Sequence, residues 1–160
     1  MSFVLRSGGP ADTRKLGERL GRLLGAGDVI LLAGELGAGK TTFVQGLARG
    51  IGYAGSVSSK SFVLLGEYAG RVKLYHADLY RLESPEQVQE LALEEVCSDG
   101  ALAVEWPERA EDVLPPEHLR VEFEVTGEHS RTLRLSASGE RAREVLDALT
   151  QHSGTPDRGV

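Results

Sequence analysis

The stretch Gly34-Glu35-Leu36-Gly37-Ala38-Gly39-Lys40-Thr41 fits the pattern G-x-x-x-x-G-K-[ST] at every fixed position, and its neighbours fit as well. Before it stands the apolar run Val29-Ile30-Leu31-Leu32-Ala33, too short for a helix and bounded by glycines, which predicts a strand covered on both faces of a sheet. After it, Thr41 to Ile51 predicts a helix that buries Phe43, Val44, Leu47 and Ile51 and stops at Gly52. Each residue type has its own reason. Glycines let the backbone curl until successive N–H groups point into one anion-binding nest, and the helix dipole adds positive potential there. Lys40 reaches the β- and γ-phosphates, and the Thr41 hydroxyl ligates Mg²⁺. The stretch predicts a nucleotide phosphate site.

Outward from it the chain reads as one α/β domain over 1–151, with a tail from 152 to 160 that lacks periodicity and is expected to fray. Ala11 to Leu24 predicts an amphipathic helix, with Leu16, Leu20, Leu23 and Leu24 on one face and Asp12 or Thr13 as its cap. Ser56 to Ser61 is a small-residue stretch with few apolar anchors. Phe62 to Tyr68 and Val72 to Ala77 predict a hairpin turning at Ala69-Gly70. Ser84-Pro85-Glu86-Gln87 opens a helix with a capping serine, and Glu90 to Val96 continues as helix. Ala101 to Val104 is a second buried strand, ending abruptly in Glu105. Leu119, Val121, Phe123 and Val125 alternate as a half-buried strand partnered by Leu133 and Leu135, and Glu140 to Leu149 is a final helix. The expected fold is a mixed, mostly parallel central sheet flanked by helices.

Composition excludes several classes. Of 160 residues 41% are hydrophobic and 26% charged, which is ordinary for a globular chain and unlike a disordered one. No apolar run approaches the roughly 20 residues of a membrane span. Met1 to Pro10 lacks the apolar core of a signal peptide, so a cytoplasmic protein is expected. The single Cys97 can form neither an internal disulfide nor a cysteine metal pair, and reads as a partly buried small hydrophobe. With 18 basic against 24 acidic residues the net charge is −6, so the chain has no basic excess with which to hold nucleic acid by itself.

A phosphate loop needs a carboxylate at the end of a neighbouring strand to complete its metal site. Glu105 and Asp78 both qualify, Glu105 lying 64 residues after Thr41, and pattern alone does not divide the roles between them. His76 has the chemistry of a general base, although a lone His in a strand is more often packed or hydrogen-bonded. Trp106, the only tryptophan, reads either as a cover over the site or as a core or interface anchor. Lys60 and Ser61 stand where a γ-phosphate-sensing switch is commonly placed. Arg131, in an expected turn, is a candidate for phosphate or base contact or for a plain surface charge. No N-K-x-D guanine-reading motif is present, which favours ATP.

Together these segments resemble the TsaE (YjeE) family of P-loop ATPases. The resemblance runs from Ala11 to Leu135. It rests on Gly34 to Thr42, Gln45 to Gly52, His76-Ala77-Asp78-Leu79-Tyr80-Arg81-Leu82, Val104-Glu105-Trp106-Pro107-Glu108-Arg109, and Arg131. The P-loop is shared with many NTPases, whereas the H-x-D-L-Y-R-L and E-W-P-E-R segments are much more specific. The resemblance implies an ATPase, weak alone, that works with TsaB and TsaD in tRNA threonylcarbamoyladenosine modification and resets their complex between turnovers. It would meet tRNA only through that complex, and neither membrane nor DNA. Thr41 and Glu105 would hold Mg²⁺, Asp78 would orient or activate the attacking water, and Lys40 with the loop amides would cradle the ATP phosphates. Gly37, Ala38, Gly39, Lys40, Thr41 and Thr42 then bind nucleotide, with Ser61, Trp106 and Arg131 as further contacts. One departure stands out: where the family usually reads S-P-T-F, this chain has Ser59-Lys60-Ser61-Phe62, keeping a hydroxyl but exchanging a rigid proline for a positive charge. Two other readings share the P-loop: a small-molecule kinase, which needs a lid carrying arginines, whereas Arg141 and Arg143 fall on the last helix and no lid insertion is visible, and a nucleotide-gated binding module without turnover.

Overall fold

The computed structural model describes residues 2–35, 37–55 and 65–152. In chain order its elements are β1 (Ser2–Ser7), α1 (Pro10–Leu23), β2 (Val29–Ala33), α2 (Lys40–Gly50), β3 (Leu65–Ala69), β4 (Lys73–Asp78), α3 (Glu86–Leu91), α4 (Leu93–Val96), β5 (Gly100–Glu105), β6 (His118–Val125), β7 (Arg131–Ser138) and α5 (Glu140–His152). The strands form a seven-stranded sheet in the order β1-β7-β6-β2-β5-β4-β3. The four in the middle, β6, β2, β5 and β4, run parallel, and the pairs outside them are antiparallel. This is the mixed sheet, parallel in its centre, that the alternation of buried runs and helices predicts.

β2 is buried on both faces, as its unbroken apolar run requires. Ile30 and Leu32 join the core under α1, α2 and α5, while Leu31 joins the one under α3 and α4. The first layer is held by an unusually close helix pair. A Cβ placed on Gly46 of α2 would lie 2.1 Å from the Arg14 carbonyl oxygen of α1, and one on Gly21 of α1 would lie 2.4 Å from that of Leu47. Glycines at these positions let the two backbones touch, which fixes the helix that carries Lys40 and Thr41 at its start.

Four local expectations are corrected. β1 is an edge strand paired with β7, which the sequence reading did not expect; its apolar centre is just Phe3-Val4-Leu5 and its partner is some 130 residues away. α1 begins at Pro10, the position at which a missing N–H costs nothing. Asp12 there accepts the Gly8 N–H, and Thr13 bonds the Ser7 hydroxyl, so neither caps the helix. At α3, Pro85 takes the capping position and the Ser84 side chain makes no cap, although Gln87 reaches back to the Glu83 N–H. Finally, the helix expected over Glu90 to Val96 is broken at Ala92, whose φ of 48° is left-handed. Val88 and Leu93 are both buried in the same core. Five residues apart on an unbroken helix, they would point about 140° away from each other, and the break turns both inward.

At the far end of β2 from the P-loop, the buried Asp28 accepts the Gly25 N–H at 2.8 Å and the Arg141 Nε at 2.9 Å, locking α5 to the α1–β2 turn. Arg141 is therefore engaged at the end of the sheet away from the P-loop, as expected of a last-helix arginine that belongs to no lid. Among the described residues no helix is long and apolar enough to cross a membrane.

Candidate nucleotide-phosphate site

The P-loop leaves β2 at Gly34, where the backbone runs hard against β6: a Cβ there would lie 2.9 Å from the Phe123 carbonyl oxygen. At Gly39 the chain turns through a φ of 105° directly into α2, a conformation in which glycine is nearly strain-free. The first N–H groups of α2 have no partner within the helix, so they face the loop with the positive end of the dipole behind them. Ala38 is committed otherwise: its N–H bonds the Glu35 carbonyl at 3.1 Å and its methyl is in the core. Thr42 follows Thr41 in the first turn, half-buried.

Lys40 is only 4% exposed. Its ammonium bonds the Gly34 carbonyl and stands 3.4 Å over the centre of the Trp106 indole. Burial pulls its pKa below the ordinary lysine value, while the fields of Glu105, then Glu108 and Asp78, work in the opposite direction. Trp106 lies over the Lys40 ammonium and also packs against the core under α3 and α4. Its ring packs against Tyr80 at 4.9 Å between centroids, and its own φ is 60°, left-handed for a bulky side chain.

Glu105 ends β5 between the two strands it needs to serve, opposite Leu32 of β2 and opposite Asp78 of β4. It is 4% exposed. Its carboxylate oxygens lie 3.3 and 3.4 Å from the Thr41 hydroxyl, 64 residues away in the chain. Oε2 also accepts the His76 Nε2–H at 2.6 Å. Asp78 is half-buried at the same sheet end, and its Oδ1 accepts the Tyr80 N–H at 3.0 Å. Among the described residues no three His, Cys, Asp or Glu side chains converge as a self-sufficient metal site. A hydroxyl beside one carboxylate is instead the donor set that suits magnesium, which takes oxygen ligands and fills its shell with substrate phosphates and water.

The family model for "Threonylcarbamoyl adenosine biosynthesis protein TsaE" matches residues 8–133, a span that contains every one of these groups. The chain belongs to the TsaE family. It is 35% identical over 149 residues to the tRNA threonylcarbamoyladenosine biosynthesis protein TsaE of Bacillus subtilis, across 92% of this chain and 93% of that one. To the TsaE of Treponema pallidum it is 40% identical over 126 residues, 78% of this chain and 93% of that one. The crystal structure of Bacillus subtilis YdiB superposes with a TM-score of 0.80 at 30% identity, covering 96% of this chain and 97% of that one.

Of the residues singled out from sequence, this TsaE-family chain gathers Lys40, Thr41, Asp78, Glu105 and Trp106 at the carboxyl ends of β2, β4 and β5. Ligands in open α/β sheets lie at that end. Arg131 arrives from the other side: it bonds the carbonyls of Ser130 at 2.8 Å and Gly37 at 3.4 Å, tying the β6–β7 turn to the P-loop. Lys60 and Ser61 lie outside the described residues. Sequence reasoning passed over Glu108, whose charge reaches Lys40, and Tyr80, which backs Trp106. Both sit in the two family-specific segments, and that was their only signal.

A cleft of about 430 Å³ lined by Gly27, Leu93, Cys97, Pro115 and Glu117 opens at the opposite sheet end, away from this chemistry. Cys97 is 5% exposed, and burial pushes its thiol up to about 11. At pH 8 the native thiolate fraction is then roughly 100-fold below that of an unfolded cysteine. Because a higher-pKa thiolate is also more nucleophilic, labelling by a disulfide reagent should be slower by at least about 10-fold in the native chain than in denaturant; equal rates would contradict the burial.

Proposed function

We propose that the chain is the Mg-dependent ATPase component of the tRNA threonylcarbamoyladenosine machinery, weak alone and stimulated by its TsaD and TsaB partners, whose complex it resets between turnovers. One observation carries the chemical part: the Thr41 hydroxyl and the buried Glu105 carboxylate meet at the mouth of the P-loop, beside Lys40. The names of its relatives supply the pathway. The loop amides and Lys40 bind the β- and γ-phosphates, and Thr41 with Glu105 would hold Mg²⁺, which would supply positive charge to the phosphate oxygens. Asp78, one strand over, orients the attacking water. Trp106 and Tyr80 roof the site and limit bulk water. Phosphoryl transfer demands little covalent chemistry of a protein, so this positioning is most of the catalysis.

The discriminating experiment follows the γ-phosphate of labelled ATP and GTP at matched Mg²⁺, with and without TsaB and TsaD. Release as inorganic phosphate from ATP, stimulated by the partners, supports the reading. Transfer to a metabolite would replace it with a kinase, and binding without turnover would leave a gated module. The charge of −6 adds an expectation for the isolated chain. It should bind tRNA no better than background at physiological salt by filter binding, and a tight, salt-resistant complex would refute an indirect route to RNA.

A further inference from the structure

We propose that His76 is a positioning residue: it fixes the rotamer of Glu105 so that the carboxylate is ready for the magnesium ion of bound ATP. The inference rests on the reading of Glu105 as the metal carboxylate and deepens it.

The argument starts from strand register. His76 pairs with Ala103 and Asp78 with Glu105 across β4 and β5, so His76, Asp78 and Glu105 project from the same face of the sheet. That is the face on which Leu74, Ala101 and Ala103 join the core under α2. His76 therefore stands one step further from the sheet's carboxyl edge than Glu105, behind it as seen from the P-loop. It is 7% exposed, and its Nε2 lies 2.6 Å from Glu105 Oε2.

A carboxylate offers only acceptors, so the proton of this bond sits on Nε2, and the ring nitrogen that faces the site is already engaged. This argues against the general-base reading of His76. It argues equally against a mere filler, because the bond to Glu105 is far shorter than the 3.3 and 3.4 Å contacts that Glu105 makes with Thr41. Left with Thr41 alone, the buried carboxylate would be free to rotate about its terminal torsions, which are broad for sp³–sp² bonds. The imidazole removes that freedom. It is itself walled in by Gly66, directly opposite on β3, and by the Tyr68 ring at 6.5 Å between centroids. Hydrogen bonds of this kind behind a metal ligand typically contribute about 10–100-fold to metal affinity.

The test measures ATP binding by calorimetry, across a Mg²⁺ titration and in EDTA, for the parent, His76→Leu and His76→Gln, with melting temperatures alongside. Leucine fills the space without a donor, whereas the glutamine amide places its nitrogen near the position of Nε2. The inference predicts that His76→Leu raises half-saturating Mg²⁺ by about 10–100-fold, with ATP affinity in EDTA unchanged, and that His76→Gln restores most of the loss. An unshifted Mg²⁺ dependence in a folded His76→Leu, or equal shifts in both variants, overturns it. Should the leucine variant not fold, His76→Asn is read in its place, since its amide stops short of Glu105 and is expected to shift like leucine. A parent whose ATP binding ignores Mg²⁺ would instead defeat the ATPase reading itself, an outcome distinct from the loss of the His76 role.

Discussion

Replacing Glu105 with alanine is expected to lower partner-stimulated ATP hydrolysis by about 10²–10³-fold, the scale on which a single lost electrostatic stabiliser is felt in an enclosed site. That corresponds to roughly 3–4 kcal/mol of barrier. Two losses combine. The Thr41 hydroxyl, 3.3 Å from Glu105 Oε2, would be left as the sole donor for the metal among the described residues. Glu105 is also the foremost of the three carboxylates whose fields oppose the burial of Lys40, so its removal lets burial draw the Lys40 pKa further down. ATP binding in EDTA should survive, since the loop amides and Lys40 remain. Asp78→Ala is expected to act on hydrolysis in the same direction while sparing binding, because Asp78 lies opposite Glu105 in the sheet and, in the proposed mechanism, serves the water rather than the phosphates. Steady-state phosphate release compared with calorimetric ATP affinity separates the two. Parental hydrolysis rates in both variants would remove the carboxylates from the mechanism.

The second large effect is on the fold. Gly46→Leu is expected to abolish cooperative folding, or to lower the melting temperature by more than about 8 °C, as followed by circular dichroism. Helix propensity works the other way, since exchanging glycine for a better helix former gains up to about 1 kcal/mol. That gain is overwhelmed here. The first atom of any side chain at Gly46 would sit 2.1 Å from the Arg14 carbonyl oxygen and 2.9 Å from the Gly17 Cα, both backbone atoms that no rotamer change can move. Helices α1 and α2 must then separate, opening a core that holds Leu16, Leu20, Phe43 and Leu47. Overpacking typically costs 1–3 kcal/mol, and a whole side chain driven between two backbones falls at about 4 or more; in a chain of this size each kcal/mol moves the melting temperature by about 2–4 °C. Even Gly46→Ala, if folded, is expected to lose turnover, because α2 presents Lys40 and Thr41. An unchanged melting temperature for Gly46→Leu would mean that the helices are not packed this closely.

What the sequence made legible was local. The P-loop, the strand before it, the helix after it, the hairpin (whose turn falls at Gly70 to Val72, just past the Ala69-Gly70 expected) and the abrupt end of a buried strand at Glu105 each announce themselves within a dozen residues. Glu105 and Asp78 were both legible as carboxylates at strand ends, but pattern left their roles undivided, and only the family resemblance paired Glu105 with Thr41. The remainder depended on partners distant in the chain. β1 is a strand only because β7 runs beside it, and the break at Ala92 exists only because Val88 and Leu93 share a core. His76 reads in sequence as an ordinary packed histidine, and nothing within its own strand announces a carboxylate on the next one. Trp106 left two readings open in sequence, and its place over Lys40, 66 residues away in the chain, depends on β2 and β5 lying side by side.

The central claim is that this loop and lysine form a triphosphate site, and the most direct measurement is a calorimetric titration of ATP with Mg²⁺ present, run in parallel on the parent chain and on Lys40→Ala. Lys40 carries the one positive side chain inside the loop, held within reach of Gly34 and beneath Trp106. The account predicts saturable one-to-one binding by the parent and an affinity at least about 10-fold weaker, ~1.4 kcal/mol, in the variant. Equal affinity in the two proteins, or no ATP binding by the parent, would contradict it.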